Sequence, residues 1–545
     1  MASSSATTTW TSPNRRAASC HAARNFPDRR ILMRDHCLVE GRRLPYMDVI
    51  NMYANRAGVG GTDANHYHVG EVPNLAAIYL TNFLLRRGLT ADHVSLFTPE
   101  RDRIARILAD RDPRTAAITT TFHLTPAPVI EIVRFVRAHH PETTIIVGGP
   151  LVDNLTTATA DPEALSDLFD LMDADVYVRE SQGEATLLRA VAALREGHSL
   201  ADTPNLYLRR SDGFAFTRAQ PEANSLDEVA IDWSLFSDAE LGATVQTRTA
   251  RSCAFKCSFC DFPARAGALA LADITTVEAE LRALSDRGVR NIVFIDDTFN
   301  VPPKRFTELL KMMVRNDFDF GWYSFFRCSS TRDEETFDLM AQSGCRAVFL
   351  GIESASDSIL KLMNKSAKSA QYRHGIEQLK ARGITTFASF VVGFPGENAD
   401  TVRETIDFLN TAAPTFFRAE PWWYNHRSPI HARAAELRIF GQGYDWRHAS
   451  MDIHGACDAR DAIFDSVTTS TWIPSYNFDF WALPYLVGKG MEIEQAVEFH
   501  ALAERAMRWN DHPGHPESHA ASTDLARLFE TVKMTPAKYT APSTS

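Results

Sequence analysis

Three cysteines crowd into eight residues near the middle of the chain. Cys253, Cys257 and Cys260 stand in the segment RTARSCAFKCSFCDFPARAG, with the spacing Cys-x3-Cys-x2-Cys. Most iron–sulfur clusters take four protein thiolates, so three on one short loop would leave one iron of a [4Fe-4S] cubane open. The neighbouring Arg251 and Lys256 would help to keep the thiolates deprotonated. The spacing therefore predicts a cluster with one position free for another ligand.

A structural zinc site and three ordinary buried cysteines are the alternatives. Structural zinc takes four protein ligands, often in two separate pairs, and no second Cys/His pair at zinc spacing stands nearby. Three unrelated buried cysteines beside polar neighbours would be unusual. The remaining cysteines are scattered, unlike the dense framework of a small secreted protein. The pattern favours a metal cluster in a reducing cytoplasm over a zinc-stabilised binding protein.

The cysteines follow the first strand of a strand–helix series that begins near Thr244. Helices of ten or more residues separate its strands, which is typical of a parallel sheet. We therefore expect a partial (β/α)6 barrel with functional residues at its strand ends. The predicted strands are 244–250, 291–297, 320–326, 347–354, 385–394 and 416–424, and the helices lie near 276–287, 303–315, 334–343, 369–382 and 399–411.

An earlier strand–helix series precedes the barrel. Its alternation predicts a doubly wound, Rossmann-like parallel sheet, in which ligands bind outside the carboxyl ends of the strands. The predicted strands are 46–53, 94–98, 115–122, 143–150 and 174–180. The candidate binding residues at their ends are Arg56, Thr119, Thr121, Gly148, Gly149 and Glu180.

The whole chain is expected to be an α/β protein with a mainly helical C-terminal region. The net charge of -11 argues against a nucleic-acid-binding surface. No apolar run reaches the roughly 18 residues of a membrane helix, so we expect a cytoplasmic protein without a membrane partner. The expected divisions are a disordered tail and lead-in at 1–45, the first sheet at 46–200, a linker with one hairpin at 201–240, the barrel at 241–435 and a substrate-capping region at 436–545.

The motifs, taken in order, resemble the radical S-adenosylmethionine (SAM) superfamily over about 190 residues. CAFKCSFC resembles its cluster signature, including Phe259 before the last cysteine. FIDDTFN places Asp296 and Asp297 where that family binds the amino group of SAM. FLGIESASDSILKLMNK supplies Glu353, and VVGFPGE supplies Gly393 near the adenine. Singly, the aspartates could be a solvated strand end or a Mg²⁺ site, and Gly393 could be a simple turn.

The first series resembles the cobalamin-binding subfamily of these enzymes. IIVGGP, RESQGEATL and IDWSLF resemble that subfamily's strand ends and its entry into the barrel, and they imply a cobalamin cofactor. The segment DANHYHVG (63–70) departs from the Asp-x-His-x-x-Gly pattern that supplies a histidine to cobalt. The resemblance therefore implies cobalamin without that histidine, with Arg56 or a neighbour at its lower face. A flavodoxin-like domain that binds another nucleotide, or nothing, is the alternative.

The resemblance implies a methyltransferase. In that subfamily one SAM gives its methyl group to cobalt, and a second SAM is cleaved to a 5′-deoxyadenosyl radical. An external electron donor, such as a flavodoxin- or ferredoxin-like protein or a chemical reductant, would supply the electron. No catalytic residue beyond the cofactors is assigned. A cyclase or isomerase of the same subfamily remains the alternative.

The segment PWWYNHRSPI (421–430) resembles a smaller group of these enzymes. That group contains the phosphinate P-methyltransferases of bialaphos and phosalacine antibiotic biosynthesis, and the tryptophan 2-C-methyltransferase of thiostrepton biosynthesis. Length and layout favour the former, with an N-acetyl-demethylphosphinothricin-type phosphinate as the small-molecule substrate. The tryptophan enzyme would imply polar methyl transfer with a carboxylate near the cluster, for which Glu278 or Glu280 is the candidate.

Five residues could contact an anionic substrate. Arginine forks match phosphinate and carboxylate groups, and histidine and tyrosine can donate further hydrogen bonds. The alternative is that Trp422, Trp423 and Tyr424 are core aromatics and that Arg427 is a surface charge. The candidates are Tyr323, Arg327, Tyr424, His426 and Arg427.

Overall fold

The computed structural model describes residues 30–540, apart from 32–33, 62–63, 332, 475–480 and 513. Most of the expected disordered tail and the last residues lie outside the described residues. What is described forms two compact units. The first is Gly70–Glu240, and the second joins residues 30–69 to residues 241–540.

The first unit is built on a sheet that has five strands within the described residues. Three strands are parallel, and a hairpin adds two antiparallel strands at one edge. In sheet order the strands are Thr115–Thr119, Thr144–Gly148, Val176–Val178, Leu206–Arg210 and Gly213–Phe216. The helices are Leu75–Leu85, Arg101–Arg111, Ala127–His139, Pro150–Ala158, Pro162–Met172 and Glu184–Glu196.

Helices cover both faces of this sheet. Ile145 and Val147 pack with Val133 of one helix, whereas Ile146 packs with Leu187 of another. Alternate residues of the strand thus point to opposite faces, as a period of two requires. The sheet between two helical layers confirms the predicted α/β fold class.

The predicted strand at 46–53 is wrong. These residues belong to the helix Tyr46–Arg56, whose buried side chains include Tyr46, Ile50 and Tyr53. Those positions recur at intervals of three and four, which is the helical period rather than the strand period. The helix also belongs to the second unit, so the first unit begins at Gly70 instead of residue 46.

The predicted strand at 94–98 is also wrong. The carboxylate of Glu100 accepts hydrogen bonds from the backbone N–H groups of Ser95, at 3.2 Å, and Leu96, at 3.1 Å. These donors close a turn before the helix Arg101–Arg111 and are not available to a strand ladder. A short apolar run bounded by turn residues does not distinguish the two structures.

The second unit contains a wholly parallel sheet, the barrel sheet, with seven strands among the described residues. All six predicted strands are present, and their order in the sheet follows the sequence. The barrel strands, numbered one to seven here, are Thr244–Thr247, Asn291–Phe294, Gly321–Phe325, Cys345–Glu353, Thr385–Val392, Phe416–Pro421 and Thr471–Trp472. The intervening helices are Ile274–Asp286, Pro303–Asn316, Glu334–Gln342, Asp357–Leu362, Ser369–Ala381 and Ala399–Ala412.

The C-terminal region is mainly helical, as predicted. Its longer helices are Ile453–Ser466, Ala482–Gly488, Ile493–Arg508 and Pro516–Thr531. Several contacts join residues 30–69 to it. Among them, Arg460 forms a buried ion pair with Asp35 at 2.7 Å, and His66 pairs with Tyr539 in a short antiparallel ladder. Across the described ranges, no helix is both long and apolar enough to cross a membrane.

Candidate functional site

The three cysteines lie on one loop that follows the first barrel strand. The backbone N–H of Ser258 donates to the carbonyl oxygen of Met363 at 2.8 Å. The Ser258 hydroxyl donates to the carbonyl oxygen of Leu362 at 2.9 Å. The Asn364 amide donates to the Lys256 carbonyl oxygen at 2.7 Å. These bonds fasten the cysteine loop to the segment that follows the helix Asp357–Leu362.

All three cysteines are free thiols in this loop. Burial raises the pKa of the Cys257 thiol, and it raises the pKa of Cys260 to about 11. The Sγ of Cys253 lies 3.6 Å from the hydroxyl of Thr298. Within the part of the chain that the structure describes, no three His, Cys, Asp or Glu side chains converge on a position for one metal ion. The donor set, three unpaired thiols on a single loop, fits a multi-iron cluster better than structural zinc, which needs four convergent ligands.

Two buried cations lie beside this loop. The charges of Lys365 and then Arg327 lower the pKa of Cys257 against the effect of burial. The Arg327 guanidinium lies 3.7 Å from the ring centroid of Phe255, and its Nε and Nη2 atoms have no hydrogen-bond partner. A buried guanidinium without an anion is costly. The predicted substrate residue Arg327 is therefore placed where a thiolate cluster or an anionic ligand would stabilise it.

Glu353 pairs with Lys365 at the end of the fourth barrel strand. The ammonium nitrogen lies 3.1 Å from Oε1, and both side chains are mostly buried. Glu353 has a φ of 68°, and the pairing register shifts between Gly351 and Glu353. A non-glycine residue in the left-handed region is strained and is held there by its surroundings. The sequence drew attention to Glu353 but missed Lys365, although it lies in the same motif.

The two predicted aspartates have different surroundings. Asp296 is buried, and its carboxylate accepts bonds from the Thr249 N–H and hydroxyl, both at 2.6 Å, and from the Ala250 N–H at 3.1 Å. These bonds position the backbone just before the cysteine loop. Asp297 reaches solvent, although desolvation and the charge of Asp296 raise its pKa to about 7. Of the pair, Asp297 is the one with an accessible carboxylate.

Gly393 occupies a position that tolerates no side chain. Its φ is 85°, and a Cβ there would lie 2.6 Å from the Trp446 ring and 2.7 Å from the Cβ of Ala456. Its N–H donates to the buried Glu397 carboxylate, and its carbonyl oxygen lies 2.9 Å from Nε2 of His448. These contacts hold the turn at Gly393 in place.

Phe259 lies between the cysteine loop and this turn. Its ring centroid is 6.5 Å from that of Phe394, in an edge-on arrangement, and 5.6 Å from the Lys365 ammonium. The structure therefore brings the predicted residues Phe259 and Glu353 and the neighbour of Gly393 together beside the cysteines.

The candidates in the first unit lie at three adjacent strand ends. Thr119 pairs with Gly148 across the first two parallel strands, and Gly148 pairs with Val178 on the third. The hydroxyls of Thr119 and Thr121 are 2.9 Å apart, with Thr121 exposed. Glu180 follows the third strand and accepts bonds from the backbone N–H groups of the loop after it.

The glycines at these ends have a packing role. A Cβ on Gly148 would lie 3.2 Å from the Cβ of Val178, and one on Gly149, where φ is 104°, would lie 2.9 Å from the Thr120 hydroxyl. Both positions exclude side chains because of the protein's own atoms. Arg56 lies in the second unit, where it pairs with Glu40.

Of the remaining substrate candidates, the two tyrosines are buried and His426 is exposed. Tyr323 is fully buried, and its hydroxyl donates to Asn291 at 3.1 Å inside the barrel. The buried Tyr424 is hydrogen-bonded to His431 at 2.6 Å. Tyr424 thus lies in the core, as the alternative held for it, whereas Trp423 is exposed. His426 is exposed, with its Nε2 lying 2.8 Å from the carbonyl oxygen of Gly441.

Arg427 reaches the cysteine loop. Its Nε lies 3.7 Å from the carboxylate of Asp261, the residue after Cys260, and Arg265 approaches the same oxygen at 3.3 Å. The Asn425 amide also donates to this carboxylate at 3.0 Å. The segment 421–430 therefore borders the cysteine site, and sequence reasoning missed Asp261 as its anchor.

Residues 247–409 match the family described as the radical SAM superfamily. An uncharacterized methyltransferase of Pyrococcus horikoshii is 27% identical over 317 residues, which are 56% of this chain and 66% of the relative. An anaerobic magnesium-protoporphyrin IX monomethyl ester cyclase of Rubrivivax gelatinosus is 29% identical over 243 residues, 42% of this chain and 44% of the relative. The chain thus spans between 44% and 66% of the length of these relatives.

Two solved structures share the fold. The radical SAM methyltransferase TsrM of Kitasatospora setae, solved with tryptophan and a SAM analogue, has a TM-score of 0.54 at 21% identity and covers 67% of this chain and 73% of its own. The cobalamin-dependent SAM radical enzyme OxsB, solved with aqua-cobalamin, has a TM-score of 0.61 at 15% identity and covers 84% and 74%. Residues 247–409 are thus similar to the radical SAM superfamily, and the fold of the chain is that of TsrM and OxsB, both solved with cobalamin bound.

Proposed function

We propose that the chain is a cobalamin-dependent radical SAM methyltransferase that methylates the phosphorus of an N-acetyl-demethylphosphinothricin-type phosphinate. The observation that carries the proposal is the loop of three free thiols beside the buried cations Arg327 and Lys365. The chain similarity to a methyltransferase of Pyrococcus horikoshii and the TsrM-like fold support methyl transfer.

In this proposal Cys253, Cys257 and Cys260 would hold a [4Fe-4S] cluster, and Asp297 would contribute to binding SAM. Bound cluster, SAM and cobalamin would supply radical formation and methyl delivery. The residues of the chain would position the cofactors and the substrate and exclude water from them. The aromatic side chains of Phe255, Phe259 and Phe394 surround the loop with apolar surface, which strengthens the electrostatic effect of nearby charges.

The first unit would hold cobalamin at its strand ends. Thr119, Thr121 and Glu180 offer polar groups there. The segment DANHYHVG departs from the Asp-x-His-x-x-Gly pattern, which supports binding without that histidine ligand. Hydroxocobalamin bound to the purified protein and reduced by one electron with a chemical reductant should give a cob(II)alamin electron paramagnetic resonance spectrum without nitrogen splitting from a protein histidine. Nitrogen splitting from a protein histidine would count against this assignment.

The two carboxylates that are candidates for a polar methyl transfer have different surroundings. Glu278 pairs with Arg282 at 3.1 Å and with Arg315 at 2.7 Å on the surface of an outer helix. Glu280 accepts a bond from the Thr247 hydroxyl at 2.6 Å. Both carboxylates thus have partners on or under the helix Ile274–Asp286.

A single anaerobic assay tests the proposed reaction. Holoenzyme with cluster and cobalamin is offered N-acetyl-demethylphosphinothricin or tryptophan, together with methyl-labelled SAM and a reductant. The proposal predicts labelled P-methyl product and 5′-deoxyadenosine, detected by mass spectrometry. Label in tryptophan would indicate the 2-C-methyltransferase instead, and a ring-closed or isomerised product without label would indicate a cyclase or isomerase.

A further inference from the structure

A buried arginine in the barrel makes an ion pair with no carboxylate of the described residues. Arg418 lies on the sixth barrel strand, and 8% of it is exposed. Its Nη1 atom has no hydrogen-bond partner, and its Nε donates a long bond of 3.4 Å to the hydroxyl of Ser389. A guanidinium removed from water without an anion is strongly disfavoured. Arg418 therefore has unused capacity for an acidic ligand.

The side chain projects into the barrel interior. Phe390 of the fifth strand packs edge-on against Phe408 of an outer helix, with centroids 6.2 Å apart. Because side chains alternate along a strand, Phe387 points to the opposite, inner face. The Arg418 guanidinium lies 5.7 Å from the Phe387 ring and 5.2 Å from the Phe349 ring. Arg418 is thus an inner residue with two aromatic neighbours.

On the fifth and fourth barrel strands, the residues in register with Arg418 are small. Arg418 pairs with Ser389, and Ser389 pairs with Gly351. Further along the fourth strand, Glu353 forms its ion pair with Lys365, whose charge acts on Cys257. The unpaired guanidinium is therefore on the inner face close to the strand ends that border the cysteine site.

Glu420, two residues after Arg418 on the same strand, lies close to a second cation, Arg460. Burial raises the pKa of Glu420 to about 7, and the charge of Arg460 opposes this more strongly than that of Arg418. Arg460 in turn holds the buried Asp35 at 2.7 Å. Glu420 therefore interacts more strongly with Arg460 than with Arg418, and Arg418 makes no ion pair with a carboxylate of the described residues.

We propose that Arg418 binds an acidic group of the substrate, a phosphinate or a carboxylate, and so determines specificity for acidic substrates. This inference rests on the proposed function, since it assigns the substrate class of that enzyme. A charge-assisted bond from the guanidinium is strong where Phe349 and Phe387 exclude water. A neutral substrate would leave the cation buried and unpaired, and it would be rejected for that reason.

Equilibrium binding to the anaerobic holoenzyme tests the assignment. The probes are N-acetyl-demethylphosphinothricin and two derivatives, its phosphinate ester and its carboxamide. Each derivative lacks one negative charge of the parent compound. We expect neutralisation of one acid to weaken binding to the wild type by about 10- to 100-fold. Arg418→Gln should abolish that difference, whereas the exposed Arg403→Gln on the adjacent helix should preserve it. Equal binding of all three probes, binding of none, or an unchanged preference in Arg418→Gln would overturn the proposal.

Two further measurements keep the result interpretable. If Arg418→Gln does not fold, the binding measurements are made with Arg418→Lys. A smaller difference in affinity between the acidic probe and its neutralised derivatives supports the proposal, and affinities unchanged from the wild type refute it. Methyl transfer is scored separately from binding. Acid binding through Arg418 without methyl transfer would reject the methyltransferase alone. P-methylation by an Arg418→Gln variant that keeps the wild-type preference among the probes would reject this inference alone.

Discussion

The ammonium of Lys365 lies 3.1 Å from the carboxylate of Glu353, and the pair is nearly enclosed next to the cysteine loop. Removing one partner would leave the other as an unpaired buried charge, at a cost of about 3–5 kcal/mol. We expect Lys365→Met to lower the free energy of unfolding by that amount. The double variant Lys365→Met with Glu353→Gln should be less destabilised than the single one. Additive losses in a denaturant double-mutant cycle would show that the pair is not coupled.

Asp296 and Asp297 are adjacent but should have separable roles. Asp296 accepts three bonds from the backbone and hydroxyl that precede the cysteine loop, so Asp296→Ala should misplace that loop. We expect its iron content after reconstitution to fall several-fold. Asp297→Asn should retain wild-type iron and weaken SAM binding by about tenfold. Normal iron in Asp296→Ala would contradict the positioning role.

Gly393 should be far less replaceable than another left-handed glycine. Gly393→Ala adds a Cβ that would lie 2.6 Å from the Trp446 ring, whereas a Cβ on Gly383, where φ is 70°, would meet nothing within 4 Å. We expect Gly383→Ala to cost about 1 kcal/mol from backbone strain, and Gly393→Ala to cost about 2 kcal/mol more from overpacking. Chemical denaturation of both variants measures the difference, and equal losses would refute the contact argument.

Glu397 gives the stability a predictable pH dependence. Burial raises its pKa from 4.5 to about 7, against the opposing effect of the Gly393 N–H. Between these two pKa values the folded state binds more protons than the unfolded state, so stability decreases as pH rises through that window. Glu397→Gln should remove this decrease and gain about 3 kcal/mol at most at pH 8. Parallel pH profiles of wild type and variant would rule out Glu397 as the source.

The sequence was most informative where the periodicity was long and regular. All six predicted barrel strands are found, because each is an apolar run flanked by an amphipathic helix. The strands at 46–53 and 94–98 failed for local reasons. The former follows a helical period, and the latter is a turn closed by Glu100.

The site was predictable only where residues are close in sequence. The cysteine spacing and Glu353 were visible as motifs, and the structure places them together. Arg327 was a substrate candidate, but its position beside the cysteine loop, 74 positions along the chain from Cys253, depends on the folded structure. Only the folded chain shows that Tyr323 is buried in the barrel or that Arg418 makes no ion pair with a carboxylate of the described residues.

Iron and acid-labile sulfide analysis of anaerobically reconstituted protein tests the central claim most directly. We predict about four irons and four sulfides per chain, with loss of the brown absorbance and of turnover in Cys257→Ala. Cys457→Ser, outside the loop, should keep the cluster. Zinc in place of iron, or normal iron and turnover in Cys257→Ala, would contradict the account.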